Sequence, residues 1–356
     1  MAGASEKSFA HPLGKDQNKA ASALFFYGEN SLGKAINESY EEVLCNEFES
    51  LSFKNFSLSL SPHKIFICGG KVNTGELYPQ SLRDRIIAFF EINDADGLSE
   101  SFIMAETFKD YFRENTYSDL FTFEDDIAKL STLVIICLES PGSLVELGMF
   151  ANVSDTKKLL IFAPDEHVEA EDSFIFLGPL SFLKRKDIES VHTFPWPKTD
   201  SEDYADLPLV IECIKNRLKT ANKKALFSQS NPAHIALLIF DIIFIFYPIK
   251  DYEIELALIA LNIESSNENY IKRILYLLQA MGMVGKKKYS NITFYYPLEN
   301  NKRVYLGKDN QGRIKEYKSM RVRAVTSFVL SEDESSRKRK LALAAITRIL
   351  EEKKAK

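Results

Sequence analysis

Two acids and two glycine-bearing turns are the residues of this chain whose types and spacing could do chemistry. Leu133-Val-Ile-Ile-Cys-Leu138 runs straight into Glu139-Ser-Pro-Gly-Ser-Leu-Val-Glu-Leu-Gly148. An apolar run that breaks at Pro141-Gly142 and restarts with helix formers predicts a buried parallel strand, a tight loop and a helix N-terminus carrying Glu146. In open α/β sheets ligands bind at such strand ends. Two readings of Glu146 stay open on spacing alone. Ser143 and Glu146 have the spacing of a capping box, in which hydroxyl and carboxylate satisfy helix amides and neither meets a ligand. In the other reading the carboxylate faces a ligand; were that ligand an N-glycoside, a carboxylate beside its anomeric carbon would attack the sugar or stabilise its oxocarbenium ion. Amides of the helix start and the Ser143 hydroxyl, with Gly142 beside it, would then orient ribose hydroxyls or a phosphate.

The surrounding segments alternate between strand-like and helix-like patterns, which predicts a Rossmann-like parallel sheet with crossover helices, an α/β class. His63-Lys-Ile-Phe-Ile-Cys-Gly-Gly70 is a short β run ending on two glycines, followed by a helix over 81–90. A second strand over 102–107 ends near Glu106, a carboxylate-rich helix turn covers 124–130, and another strand covers 158–163. Four strand ends thus converge on one edge, where Gly69 and Gly70 offer backbone amides and Glu106 a second carboxylate. Asp125 and Asp126 read as solvated members of their helix turn. Residues 164–228 read as long and irregular, 51–60 as strand or loop, and 32–48 as a helix.

After the turn-forming Ser228-Gln-Ser-Asn-Pro232 come helices over 233–246, 251–262 and 266–282, then Gly285-Lys-Lys-Lys-Tyr289. Two alternating runs, 292–296 and 303–306, flank the polar turn at 299–302. Three helices and a basic hairpin outline a winged helix-turn-helix, whose third helix faces a groove and whose wing touches phosphates. Candidate nucleic-acid contacts are Lys272 and Arg273 on the third helix, and Lys286, Lys287, Lys288, Lys302 and Arg303 on the wing; a protein-binding module remains the alternative. The expected division is a helical extension over 1–60, the α/β domain over 61–228, the winged helix over 229–330 and a basic helical tail over 331–356, its charges read as solvated.

Charge supports that split. The net −5 of the 356 residues conceals 19 Lys and Arg against 8 Asp and Glu from Met283 to Lys356, and 26 against 42 before them. An acidic body with a basic end suggests a polyanion partner for the latter. The longest apolar stretch, 235–248, is interrupted by Asp241 and closed by Pro248, too broken to span a bilayer. The N-terminus lacks a signal-peptide core, so the expectation is a cytoplasmic protein without a membrane role. Cys45, Cys68, Cys137 and Cys213 are scattered without metal spacing and read as buried thiols, so no metal is expected.

The segment 133–152 resembles the nucleoside 2′-deoxyribosyltransferase-like superfamily: an apolar strand, a Gly-Ser loop with an acid, then a Glu-Leu-Gly helix whose Glu, here Glu146, is the nucleophile. The form Glu-Ser-Pro-Gly-Ser-x-x-Glu-Leu-Gly-x-Phe-x-Asn, ending at Asn152 and joined to a winged helix, is similar to effectors encoded beside retron reverse transcriptases in antiphage systems. Phe66-Ile-Cys-Gly-Gly70, Ala105-Glu-Thr107 and Gly178-Pro179 extend the likeness over roughly 63–185. The resemblance implies a toxin effector that cleaves N-glycosidic bonds, with NAD the favoured nucleotide as substrate rather than cofactor. It also implies restraint by the reverse transcriptase and its multicopy single-stranded DNA, in a homo-oligomer or higher assembly. Glu146 would be catalytic, with Gly69, Gly70, Glu106, Gly142, Ser143 and Asn152 binding substrate. Where the pattern carries an Asp before the strand this chain has Leu133, so the base is left open. A nucleotide-sensing DNA-binding regulator without catalysis, and an interaction subunit with a vestigial pocket, are the competing readings.

Overall fold

The structure, a computed structural model, describes residues 38–73, 78–104, 116–117, 119–151, 156–166, 174–197, 204–263 and 268–354. Beyond helix α1 (Tyr40–Glu49) and the short strand β1 (Ser57–Ser59), the chain enters a five-stranded parallel sheet. Its strands are β2 (Ile65–Cys68), β3 (Phe102–Met104), β4 (Leu133–Cys137), β5 (Leu159–Pro164) and β6 (Val191–Phe194), in the order β3-β2-β4-β5-β6. Every residue of β2, β4 and β5 is buried, because both faces are covered; their sequences are accordingly continuous apolar runs. Alternate side chains choose the face. Ile65, Ile67, Leu133, Ile135 and Leu160 pack with α2 (Leu82–Ile92), while Phe66, Cys68, Val134, Ile136 and Ile161 pack with α3 (Leu120–Leu130) and α4 (Pro141–Phe150). Strand order reverses between β2 and β4, and the crevice beyond their C-terminal ends is where an open parallel sheet takes ligands.

The region 164–228 is more regular than its sequence suggests. It holds α5 (Ser181–Lys186), the edge strand β6, α6 (Leu207–Thr220) and the short β7 (Lys224–Leu226). Strand β6 pairs on one side only and three of its four residues are half-buried, so its hydrophobic pattern is faint. Helix α6 covers the α2 face through Val210, Ile211, Ile214 and Leu218.

The expected helices follow as α7 (Pro232–Phe246), α8 (Asp251–Ala260) and α9 (Glu268–Ala280). The strands after them pair differently from the expectation. Strand β8 (Val284–Tyr289), which carries the three lysines, pairs with β9 (Ile292–Pro297) across the two-residue turn Ser290-Asn291, with φ 55° at Ser290. A two-residue link is the tightest hairpin connection and wins over the longer turn at 299–302. Strand β10 (Val304–Tyr305) instead joins β1, which lies between β10 and β7. Helix α1 packs against α8 and against α10 (Tyr317–Val329), and α11 (Glu334–Lys354) follows. One continuous core runs from Phe66 and Val134 under the sheet, through α7, to Ile254, Leu278 and Phe328. Among the described residues no helix is long and apolar enough to cross a membrane.

Asp241 explains why β10 leaves the hairpin. It interrupts the apolar α7, is 1 % exposed, and accepts from the amides of Arg303 (2.9 Å) and Val304 (2.7 Å) and from the Tyr317 hydroxyl (2.5 Å). Asp241→Leu leaves those two amides buried without acceptors, an expected loss of roughly 2–5 kcal/mol, read by urea unfolding. Burial raises the Asp241 carboxyl to about 7, only partly offset by its hydrogen bonds. The folded state therefore binds more protons than the unfolded state between about pH 4 and 7. Its contribution to stability is present below that window and falls as pH rises through it, a slope that the Leu variant removes.

Candidate functional site

The loop after β4 builds the centre of the switch-point crevice. Pro141 occupies the first helical turn, which starts α4 at Ser140 rather than at Ser143. Ser140 is the N-cap: its hydroxyl accepts from the Ser143 amide (3.1 Å), and the Ser140 amide donates back to the Ser143 hydroxyl (3.1 Å). The Ser143–Glu146 capping box anticipated from spacing does not form. The Ser143 hydroxyl also accepts from the Glu139 amide (3.2 Å), donates to the Ser140 carbonyl (2.8 Å), and is buried. It shapes the loop from within instead of reaching a ligand. Glu146 lies one turn further on, half-buried, and its carboxylate takes a hydrogen bond from the Cys68 thiol at the end of β2.

Glu139 organises the neighbouring strand end. Its carboxylate accepts from the amides of Gly70 (2.7 Å), Leu82 (2.8 Å) and Arg83 (3.2 Å), so an internal anion occupies the N-terminus of α2. The glycine pair follows from that contact. A Cβ on Gly69 would stand 2.8 Å from Glu139 Oε1, and one on Gly70 would stand 2.7 Å from Ser81 Cβ. Gly69 and Gly70 thus border the crevice, with the Gly70 amide committed to Glu139. Gly142, by contrast, is exposed, and a Cβ there would meet nothing nearer than Ser140 Oγ at 3.7 Å.

A second carboxylate meets Glu146 from α3. Glu124 is 6 % exposed, and its Oε2 is buried with no hydrogen-bond partner among the described residues. Burial, reinforced by the charge of Glu146, pushes the Glu124 carboxyl up to about 7. Burial likewise raises Cys68 well above the ordinary thiol value, with Glu146 and Glu124 adding to it. The positive charge in this cluster is Arg83, buried in the first turn of α2 and felt by both Cys68 and Cys137. A neutral acid beside an ionised one is the pattern that lets two carboxylates take different roles.

Sequence reasoning pointed to Glu146 and passed over Glu139, Glu124 and Arg83. Glu124 had a signal: it shares a helix face with Ile127 and Ala128, both buried, so an acid sits in an apolar stripe. Asp126 is not solvated as expected. It is buried and paired with Arg273 (2.9 Å), away from the Glu146 cluster; Asp125 is the exposed one, with Lys129. Glu106 and Asn152 lie outside the described residues.

The candidate nucleic-acid residues divide in the same way. Lys272, Lys286, Lys288 and Lys302 are exposed and Lys287 is half-buried. Lys302 lies over the rings of Tyr305 and Tyr317. Arg303 is a buried structural residue that pairs with Glu299 (2.6 Å) and donates to the Pro62 carbonyl (2.7 Å), which removes it from any exposed surface. Arg273 is held by Asp126 and stacks on Tyr117 and Tyr270. Away from the crevice, a cavity of about 470 Å³ opens beside the start of β4, between Lys64, Ser131, Lys158 and His234. It contains none of the Glu146 cluster, so volume alone does not mark the chemistry.

The five-stranded parallel sheet, whose strand order reverses between β2 and β4, makes this an α/β protein, and open sheets of this kind take ligands at such a reversal. The model of the STM3845 retron effector protein family matches residues 79–287. The chain belongs to that family. It is 31 % identical over 138 residues to the Escherichia coli protein described as "Retron Ec73 putative ribosyltransferase/DNA-binding protein", covering 38 % of this chain and 42 % of that one. A second E. coli relative, "Retron Ec86 putative ribosyltransferase/DNA-binding protein", is 28 % identical over 127 residues, covering 36 % and 39 %. The matched stretches thus span less than half the length of either relative.

Proposed function

We propose that this retron effector cleaves the N-glycosidic bond of a nucleotide, with Glu146 as the carboxylate at the anomeric carbon and NAD as the first substrate to test. The observation that carries this reading is that the Ser140–Ser143 pair, and not Glu146, closes α4, while Glu146 stands half-buried at the β2/β4 crevice. The sheet is read as a deoxyribosyltransferase-like doubly wound domain, a reading supported by the two relatives described as "putative ribosyltransferase/DNA-binding protein". In this reading Gly142, Gly69 and Gly70 border the sugar. Glu106 and Asn152 are assigned to the same pocket by motif.

Helices α7, α8 and α9, the β8–β9 hairpin and the bridge between Ile249 and Tyr295 are read as a winged helix. It would dock the multicopy single-stranded DNA or the reverse transcriptase and hold the effector inactive. The test is direct: the chain, alone and with its reverse transcriptase and single-stranded DNA, is incubated with NAD and with deoxynucleotides, and free base is measured. No release under any condition sinks the enzymatic reading. For the docking surface, reversing Lys286 and Lys288 to Glu is expected to weaken single-stranded DNA binding about tenfold and to flatten its salt dependence by about two phosphate contacts. Fluorescence anisotropy over a salt series checks this, and an unchanged slope would move the DNA elsewhere.

A further inference from the structure

Proton supply is the part of glycosidic cleavage that Glu146 cannot perform. As the bond between C1′ and the base nitrogen breaks, its electron pair goes to the nitrogen, and a purine or pyrimidine departs readily only if that pair is met by a proton. A pyridinium base such as nicotinamide instead leaves as a neutral molecule. Any group near Glu146 that holds a proton at neutral pH therefore bears on which bond the site can cut.

We infer that Glu124 is the acid partner of Glu146, a neutral carboxyl that protonates the departing base and so suits the site to purine and pyrimidine N-glycosides. This rests on the glycosidic reading of the site and names its substrate class. The geometry comes from the fold. Helix α3 runs into β4 and α4 leaves it, both on one face of the sheet, and the two helices pack on each other above Phe66, Cys68, Val134 and Ile136. Glu124, in the first half of α3, and Glu146, in the second turn of α4, both act on the Cys68 thiol at the end of β2. Glu124 Oε2 is buried without a hydrogen-bond partner among the described residues, an arrangement that disfavours a charged carboxylate. The ionised Glu146 disfavours a second charge further. The neighbouring cations are engaged elsewhere: Arg273 of α9 pairs with Asp126, Lys129 pairs with Asp125, and Arg83 of α2 acts on the Cys68 and Cys137 thiols. The Cys68 thiol of β2, which both carboxyls act on, is itself held protonated.

The step balances without an added reagent other than water. The C1′–N bond breaks and its pair moves to the base nitrogen, Glu124 transfers its proton there, and a Glu146 oxygen bonds to C1′. Water then attacks C1′, delivers its hydroxyl to the sugar, returns a proton to Glu124 and releases Glu146 as carboxylate.

Glu124→Gln separates this role from simple packing. Adenine release from a deoxyadenosine nucleotide and nicotinamide release from NAD are compared in parent and variant, under whichever condition, alone or with the partners, the parent releases base. The loss for adenine is expected to exceed the loss for nicotinamide by tenfold or more, within the 10²–10⁴ span of roughly what general acids contribute. Equal losses in both, or no loss in either, overturn the proposal. Glu124→Asp, which keeps the proton but draws it back by one methylene, should show the same ordering more weakly if the Gln variant fails to fold. Infrared difference spectra give a readout independent of turnover: the protonated-carboxyl band at neutral pH, to which buried Asp241 also contributes, should lose the Glu124 component in Glu124→Gln and keep the rest. A band identical in parent and Glu124→Gln overturns the proposal whatever the activity. Base release that survives Glu146→Gln, by contrast, overturns the glycosidic reading itself.

Discussion

Glu146→Gln is expected to fold as the parent does and to lose base release by about 10³-fold or more, some 4 kcal/mol of transition-state stabilisation. The two halves of that expectation have separate causes. Folding survives because α4 is closed by Ser140 and Ser143 rather than by Glu146. The amide side chain can still accept from the Cys68 thiol, and removing one charge beside Glu124 relieves the repulsion that raises its carboxyl. Stability by thermal unfolding should stay within about 1 kcal/mol of the parent. Activity falls because a neutral amide neither attacks C1′ nor balances the positive charge that develops there. Chromatographic measurement of free base decides the second half. A variant that unfolds would return Glu146 to a structural role, and one that keeps full activity would place the chemistry elsewhere. Full function in cells together with a promoter footprint would favour the non-catalytic regulator.

The parts of the site that were legible in the sequence are those carried by local patterns. The run Leu133–Cys137 is buried on both faces and so wrote its strand as five consecutive apolar residues, and Pro141-Gly142 marked the turn. Capping was misplaced by three residues because Ser140 and Ser143 are both good caps; what chooses between them is the preference for Pro141 at the helix start. Glu139 was illegible for a different reason. Its partners are Gly70, Leu82 and Arg83, more than fifty residues away, and no periodicity encodes such a contact. The same holds for β10, whose alternation was read correctly as a strand while its partner β1 lies some 250 residues earlier. Basic residues misled where charge was taken for exposure. Arg303 and Arg339 are each fully buried against a carboxylate, which composition cannot distinguish from a solvated lysine.

Glu253→Ala is expected to cost about 3–5 kcal/mol, the usual loss when one member of a buried ion pair is removed and the other is left uncompensated. The pair joins α8 to the tail helix α11. Arg339 Nη2 meets Glu253 Oε1 at 2.5 Å with the two side chains 1 % and 0 % exposed. The guanidinium also donates to the Pro248 carbonyl and lies over the Tyr40 ring, 3.5 Å from its centroid. Burial alone would raise the Glu253 carboxyl, but Arg339 and then Lys250 hold it below the ordinary carboxylate value. A depressed folded-state value means the stabilising contribution is present at neutral pH and is lost as acid protonates the folded carboxylate. Denaturant unfolding of the two single variants, Glu253→Ala and Arg339→Leu, and of Glu253→Leu with Arg339→Leu completes the argument. The double apolar replacement should recover most of the loss, because desolvating two charges offsets much of their attraction. Recovery would assign the pair to fixing where α11 docks on α8 and α1, since an apolar contact of equal strength could slide by a helical turn where a bidentate pair cannot. Protease sensitivity of α11 then reads the docking directly: it should rise in the double variant even at restored stability, and unchanged protection would leave the pair with no positional role.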